Sequence, residues 1–389
     1  MKRRYYTGGN FRRALSVEEV HRVAQRRLPR FEMEYLDGGA EDEVSLRRNR
    51  SIFERITWLP RVLVGSGLPD LSREVLGEAL QLPLIIAPTG FNGMVWPQGD
   101  LALGRAADAA GIAFTLSTVS NYDVGALNAQ LQRPAWFQLY PLKDQKTSDR
   151  LIDRAREAGC DKLVVTVDVP ALGAREWDQR SYSRPLKLSA SSVLDVLLHP
   201  RWLWQVMLPR GAPEFANLGE FLPVGARSAL QGVRFMGTQI NPSLNWADLE
   251  RMRSRWQGKL VLKGILCVED AKRSAEIGAD GIVLSNHGGR QLDSCATGIE
   301  LVGQTAAEVG GRLSVIVDGG FRRGSDVLKA LALGADAVMI GRAALYGLAA
   351  GGEAGVAHVL NLQRVEMERA MTLLGCHSLD ELGPHLIKT

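Results

Sequence analysis

The run Ser285-Asn286-His287-Gly288-Gly289-Arg290 sets a histidine directly after an apolar stretch, with an arginine three residues on. A neutral imidazole in that place can serve as a general base near physiological pH. A histidine so placed is as often structural, and it is Arg290 that tips the reading toward chemistry. A second apolar run carries Thr166 and Asp168 at its end and is followed by Arg175. Two guanidinium groups facing one histidine suit a carboxylate whose neighbouring carbon loses a proton, because each planar fork can grip both carboxylate oxygens. Lys263 closes a third run, and a buried ammonium needs an anionic partner. A barrel carboxylate such as Asp168 or Asp318 would do, and so would a bound anionic ligand. A Schiff-base lysine is a third possibility and keeps an aldolase-type enzyme in view.

Two further segments point to a phosphate. Asp318-Gly319-Gly320-Phe321-Arg322-Arg323-Gly324 and Gly341-Arg342 both combine glycine with arginine. Glycines let backbone N–H groups approach an anion, and arginine adds a charge-assisted fork. Each loop alone reads equally well as a tight strand-to-helix turn. Two of them after successive strands make a cradle for one phosphate group.

These residues must be carried by something regular, and one junction recurs: AADAAGIAFTLST at 106–118, AREAGCDKLVVTVD at 155–168, SAEIGADGIVLSN at 274–286 and ALALGADAVMIG at 330–341. Each is a helix end, a glycine (Gly111, Gly159, Gly278, Gly334) and then an apolar strand. Strands that are apolar nearly throughout belong to a parallel sheet covered on both faces. LPLIIAP at 82–88, AWFQLY at 135–140, KLVLKG at 259–264 and LSVIVDGG at 313–320 bring the number to eight. The expected fold is therefore α/β, a (β/α)8 TIM barrel in which residues at the C-terminal strand ends form the site. An open doubly wound sheet is the alternative, but no G-x-G-x-x-G stands at a strand-to-helix turn. Residues 1–80 read as an N-terminal helical cap. Between strand four and strand five lie about ninety residues where a barrel unit needs about thirty. That excess is a long insertion.

Composition narrows the class further. With 389 residues, 46% hydrophobic and 23% charged, the chain can bury a large core, and a net charge of +4 without a concentrated basic face argues against nucleic-acid binding. Cys160, Cys267, Cys295 and Cys376 lie far apart, which suggests neither a zinc site nor a disulfide framework and fits a reducing cytoplasm. The basic N-terminal residues are not followed by a signal-type apolar run. No stretch reaches the ~18 uninterrupted apolar residues of a spanning helix.

The motifs LPRFEMEYLDGGAEDE (28–43), APTG (87–90), WFQLY (136–140), TVDVPALGAREWD (166–178), LKGI (262–265), SNHGGRQLD (285–293) and VDGGFRRGSDVLKALALGADAVMIGR (317–342) resemble the FMN-dependent 2-hydroxy acid dehydrogenase/oxidase family. The resemblance runs from about Ser16 onward. It implies an enzyme that oxidises a 2-hydroxy acid to the 2-keto acid. In it His287 takes the proton, Asp168 supports the charged imidazole, and Arg175 and Arg290 hold the substrate carboxylate. Tyr35 and Tyr140 would bind carboxylate or hydroxyl oxygen, and Lys263 would stabilise negative charge on the flavin. Ala87, Pro88, Thr89, Gly90, Ser117, Gln138, Thr166 and Ser285 would line the flavin ring and ribityl chain. Asp318, Gly320, Arg322, Gly341 and Arg342 would lie toward the ribityl and phosphate end.

Within the family, PTGFNGMVWPQGD at 88–100 looks most like the (S)-mandelate dehydrogenase branch, and Val119 stands where the glycolate oxidase pattern has tryptophan. Both imply an aromatic substrate. The resemblance further implies a homotetramer, a single FMN-binding barrel over 1–389, and electrons passed to a membrane quinone-type acceptor. It also implies that the insertion at 185–235 binds the membrane, placing the enzyme peripherally on the cytoplasmic face of the inner membrane. Its segment at 193–211 gathers Leu197, Leu198, Trp202, Leu203, Trp204, Val206, Met207 and Leu208 beside Arg201 and Arg210, the composition of an interfacial segment. Packing in the core or an oligomer contact is the competing reading of that segment. For the whole chain the alternatives are a soluble oxidase using oxygen, a phosphate-binding barrel lyase or isomerase, and a non-enzymatic metabolite-binding barrel.

Overall fold

Eight short parallel strands close on one another in chain order in the computed structural model, which describes residues 4–65, 67–184, 187–209, 211–222 and 237–388. They are β1 Leu84–Ile86, β2 Ala113–Ser117, β3 Trp136–Leu139, β4 Lys162–Thr166, β5 Lys259–Ile265, β6 Gly281–Leu284, β7 Ser314–Val317 and β8 Ala337–Ile340. The ring closes where Val338 of β8 pairs with Leu84 of β1. This is the expected (β/α)8 barrel.

Alternation explains why these strands are apolar on both sides. Ile85, Ala113, Trp136, Val164, Val261, Val283, Ile316, Ala337 and Met339 form one cluster inside the ring. Their neighbours Leu84, Ile86, Phe114, Leu116, Phe137, Leu163, Val165, Leu262 and Ile282 belong to the larger core around it. Successive side chains of a strand point to opposite faces, and here both faces are covered. Each fully buried aliphatic side chain contributes about 1.5–3 kcal/mol, so the pattern fixes register strongly.

The N-terminal region serves both ends of the barrel. Helices Val17–Gln25, Arg30–Asp37 and Val44–Arg55 precede the first strand, and the second of them carries Tyr35 to the C-terminal mouth. The expectation of a cap over one end needs extending, because the hairpin Arg73–Val75/Glu78–Leu80 closes the opposite end. Val75 and Leu80 complete the interior cluster there. Glu78 Oε2 accepts from Trp136 Nε1 at 3.0 Å and lies 3.1 Å from Lys162 Nζ.

The insertion begins after β4. Residues 185–186, 210 and 223–236 lie outside the described residues, and with them Arg210 and the last part of the 185–235 segment. The described part holds a helix, Ala190–Leu197, then a single turn and a π-helical turn, Leu203–Met207. It is pinned to the barrel mouth. Trp202 Nε1 donates to Met94 O at 2.8 Å, and Asn217 Nδ2 donates to Ser120 Oγ at 2.8 Å. Of the apolar residues expected to form one interfacial stripe, Trp202 and Val206 are instead buried, while Leu197, Leu198, Trp204 and Leu208 are 60–72% exposed. The segment thus divides into an inward and an outward face. No helix among the described residues is long and apolar enough to cross a membrane.

Candidate active site

A belt of polar side chains crosses the barrel mouth where the apolar runs end. Ser117 Oγ of β2 donates to Gln138 Oε1 of β3 at 2.8 Å, and Gln138 Nε2 donates to Thr166 Oγ1 of β4 at 3.0 Å. On β5, Lys263 Nζ donates to Ser285 Oγ, which follows β6, at 2.9 Å and stands 2.8 Å from Asp318 Oδ2, which follows β7. Register places these groups side by side: Ser117 pairs with Gln138, and Lys263 with Thr166. The sequence therefore delivers one polar residue per strand at the same height. All six are buried.

Burial alone would lower the Lys263 ammonium, but the Asp318 and Asp168 charges more than reverse this and hold it above its ordinary value. The pairing with a barrel carboxylate is thus real. It leaves Asp318 Oδ1 buried without a partner among the described residues, on a side chain that lines the same cavity as Lys263.

His287 sits above the belt. Its Nδ1 lies 3.1 Å from both oxygens of Asp168, so an Nδ1–H donated to the carboxylate leaves Nε2 as the basic nitrogen. Burial would raise the Asp168 carboxyl, but the His287 and Lys263 charges and the hydrogen bond hold it below its ordinary value. The His287 backbone has φ 56°, a left-handed conformation that costs a non-glycine residue roughly 1 kcal/mol or more. The turn is held by His287 N donating to Ser285 Oγ at 3.0 Å and by Gly289 N donating to Asn286 Oδ1 at 3.1 Å.

Both expected carboxylate-binding arginines line the same cavity as His287, Tyr35 and Tyr140. Arg290 Nη1 donates to Tyr35 O at 2.8 Å and to Gly38 O at 2.7 Å, and its guanidinium lies 5.1 Å from the centre of the Tyr35 ring. Arg175 Nε reaches Arg290 O at 3.5 Å. Burial pushes the Tyr140 hydroxyl above its ordinary value, so it stays a donor at any physiological pH.

At the other end of the cavity stand Gly320, Arg322, Gly341 and Arg342. Gly320 is required by the fold, since φ is +84° and a Cβ would meet Asn49 O at 1.9 Å. Gly341 is different. A Cβ there would meet only Thr89 and Ala87, at 3.9 and 4.0 Å, so the protein itself does not demand a glycine. Its bareness leaves room on the cavity side, at the start of the helix Arg342–Leu374, where N–H groups and dipole favour an anion. An orphaned carboxylate oxygen, a bare glycine at a helix start and two arginines fit a polar chain ending in phosphate. Ala87, Pro88, Thr89 and Gly90 provide a wall beside it.

All the expected site residues gather here, with one distinction. Ser117, Gln138, Thr166, Asp168 and Ser285 stand behind the residues that line the cavity, while the others line it. Phe91, Ile240, Gly237 and Leu345 were not foreseen. Phe91 belongs to the 88–100 motif, whereas Gly237 and Ile240 lie in the insertion and carry no chemical signature. Gln291 lies within the SNHGGRQLD motif. Its side chain donates to Asp168 O at 2.9 Å and Ala171 O at 2.8 Å, tying the loop after β4 to the loop after β6.

Comparison with known proteins agrees with this geometry. The chain is 43% identical to the (S)-mandelate dehydrogenase of Pseudomonas putida over 96% of its length and 93% of that protein's. It is also 43% identical to an L-lactate dehydrogenase of Xanthomonas euvesicatoria pv. vesicatoria, covering 95% of each. Among solved structures, that of the monotopic membrane protein (S)-mandelate dehydrogenase matches with a TM-score of 0.92 at 43% identity, over 97% of this chain and 99% of that one. A mandelate oxidase matches with a TM-score of 0.81 at 38% identity, over 94% and 96%. Residues 24–389 match the FMN-dependent dehydrogenase family, and the chain belongs to it: an FMN-dependent enzyme of the 2-hydroxy acid dehydrogenase/oxidase group.

Proposed function

We propose that the enzyme oxidises an aromatic (S)-2-hydroxy acid such as mandelate to its 2-keto acid and passes the electrons to a membrane quinone-type acceptor. The observation that carries the reaction is His287, with Nδ1 tied to Asp168 and Nε2 left basic in a cavity shared with Arg175 and Arg290.

In this reading Arg175 and Arg290 take the substrate carboxylate, and the Tyr35 and Tyr140 hydroxyls donate to its oxygens. The hydroxy carbon is then set opposite His287. Oxidation removes two electrons and two protons: Nε2 takes one of those protons, whether it leaves from carbon or from hydroxyl, and the other would go with the two electrons to the bound FMN. Asp168, already anionic and bonded to Nδ1, stabilises the imidazolium that results. Bound FMN supplies the two-electron acceptor. Ala87 to Gly90, Ser117, Gln138, Thr166 and Ser285 would hold its ring and ribityl chain, and Asp318, Gly320, Arg322, Gly341 and Arg342 its ribityl and phosphate end. Lys263 keeps its positive charge at any physiological pH and would offer it to the ring.

The aromatic preference rests on the apolar side of the cavity, where Gly90 and Val119 meet. A Cβ on Gly90 would come within 2.6 Å of Val119 Cγ2, so the two residues share a space that a larger pair would close. Lactate is the second substrate reading, supported by the equal identity with an L-lactate dehydrogenase.

Membrane attachment rests on the outward face of the insertion, where Leu194, Leu197, Leu198, Trp204 and Leu208 are exposed, and on the similarity to (S)-mandelate dehydrogenase, a monotopic membrane protein. Too short to span, such a face suits the headgroup boundary. A homotetramer bound at the cytoplasmic face completes the proposal. In the test, (S)-mandelate or L-lactate is added to the yellow protein under nitrogen, and the rate of bleaching is recorded before air or a soluble quinone is admitted. Faster bleaching by mandelate and slow reoxidation by air are expected. Preference for lactate, or rapid reoxidation by air, would replace substrate or acceptor respectively. Fractionation of cells decides attachment: a wholly soluble enzyme would remove the membrane from the scheme.

A further inference from the structure

The C-terminal turn of the helix Arg30–Asp37 offers its carbonyl groups to two arginines that the proposed function assigns to different ligands. Arg290 Nη1 donates to Tyr35 O and Gly38 O. Arg342 Nε donates to Leu36 O at 2.9 Å, and its Nη2 to Gly38 O at 3.0 Å. Gly38 O is therefore shared between the substrate end and the phosphate end of the cavity. The last carbonyls of a helix have no partner within it and stand at its negative pole. They orient a guanidinium without cancelling its charge, as a carboxylate would.

That turn is itself clamped from behind. Asp37 accepts from Tyr346 OH at 2.7 Å and lies 2.8 and 3.0 Å from His21 Nε2. The His21 ring leans on the Tyr346 ring, with centroids 4.2 Å apart. Because the Tyr346 proton points to Asp37, its oxygen is left to accept from Arg322 Nη2, at 3.5 Å. The Arg322 guanidinium also lies 5.1 Å from the Tyr346 ring centre. Asp37, His21 and Tyr346 thus form one unit that touches Arg322 of the phosphate end directly and Arg342 only through the turn's carbonyls, and that among the described residues bonds to neither His287 nor Lys263.

We propose that Asp37, with His21 and Tyr346, is a positioning residue that holds the helix turn 35–38 as a common mount for the substrate arginine and the cofactor-phosphate arginine. Retention of FMN and affinity for the hydroxy acid are thereby linked through one carbonyl, that of Gly38. The proposal rests on the assignment of Arg290 to the substrate carboxylate and of Arg342 to the phosphate.

The test uses the holoenzyme. Release of FMN on dilution is followed by recovery of its fluorescence, and flavin reduction by (S)-mandelate and L-lactate under nitrogen separates substrate affinity from the limiting rate. Asp37→Asn should speed FMN release and weaken substrate affinity together, each by about tenfold, with a limiting rate within about twofold of the parent. Tyr346→Phe should speed FMN release with a smaller effect on substrate. His21→Ala should follow Asp37→Asn, and His21→Gln, which keeps a donor, should restore most of the loss. A lower melting temperature with FMN release and substrate affinity unchanged would make the unit merely structural and overturn the proposal. Should Asp37→Asn not fold, the Tyr346 and His21 variants decide by the same readouts. Arg342→Met and Arg290→Met run alongside. If Arg342→Met alters FMN release and Arg290→Met alters substrate affinity while the Asp37, His21 and Tyr346 variants alter neither, the mount alone falls. If the two arginine variants themselves have no such effects, the assignment beneath it falls as well.

Discussion

Two lysines of the barrel are almost equally buried, at 3% and 4% exposure, and they lie at opposite ends of adjacent strands. Lys162 begins β4 at the floor and Lys263 lies near the end of β5 at the mouth. Each has two carboxylates near it. Lys162 is held by Glu78 at 3.1 Å and Asp161 at 2.8 Å, under a hairpin that seals the ring, with the Trp136 ring 5.7 Å away. Lys263 is held by Asp318 at 2.8 Å and feels Asp168, beside a cavity and next to a carboxylate oxygen without a partner. The difference teaches that burial and pairing do not mark a functional charge. What separates the two is what lies beside the pair: Lys263 and Asp318 line an open cavity, whereas Lys162 is closed in by the hairpin that carries Glu78.

The largest effect is expected at the mouth, from the histidine that stands above Lys263. His287→Asn should retain FMN while flavin reduction falls by about 10²–10⁴ or more, because the base goes and the belt beneath it stays. Rapid kinetics under nitrogen check this, and bleaching at the parent rate would reassign the base. Next comes Lys263→Met, which leaves Asp318 and Asp168 without their ammonium. Reduction should slow by about 10²-fold, the size seen when one preorganised charge donor is lost. A variant that reduces normally would make this lysine no different in kind from the one at the floor.

Lys162→Met is the converse experiment. It should lower stability to denaturant by about 2–3 kcal/mol, less than a fully sealed pair because Glu78 keeps Trp136 as a donor, and leave the reduction rate of the folded enzyme unchanged. A slower reaction there would show that the floor transmits to the mouth. The smallest effect concerns Asp100, buried behind the 88–95 loop, where it accepts from Asn92 Nδ2 at 2.7 Å and Asn121 N at 2.9 Å. Burial pushes its carboxyl up to about 6 against these hydrogen bonds. A carboxyl that keeps its proton longer in the folded state loses stability as pH rises, here from about 4 to about 6, by about 1–3 kcal/mol, with no further change above. Comparing unfolding of the parent and Asp100→Asn across that range should show the step only in the parent.

The barrel was legible in the sequence because its strands are covered on both faces and so read as apolar runs, four of them announced by a glycine such as Gly159 or Gly278. The belt was legible for the same reason. The first polar residue after each run, from Ser117 to Asp318, has to lie at the mouth. What escaped were contributions without side-chain identity or local pattern. The carbonyls of Leu36 and Gly38 serve the arginines through the main chain, which no residue type betrays. Ile240 and Gly237 reach the cavity from far along the insertion. The floor hairpin is too short for periodicity to speak. In the segment 193–211 composition showed an apolar set but not its two sides: Trp202 is buried with Val206, four residues on, while Trp204, two residues on, falls on the opposite side and is exposed.

The ring closure between Val338 and Leu84 also bears on how the chain is made. β1 and β8 are neighbours in space and lie near opposite ends of the sequence, so the last seam must wait until almost the whole chain is available. Until then β1 offers an open, wholly apolar edge to any other strand it meets. Long-range pairing of this kind folds slowly and leaves intermediates prone to associate. Synthesis at low temperature, or with chaperones in excess, should therefore raise the yield of native enzyme more than any substitution at the mouth of the barrel.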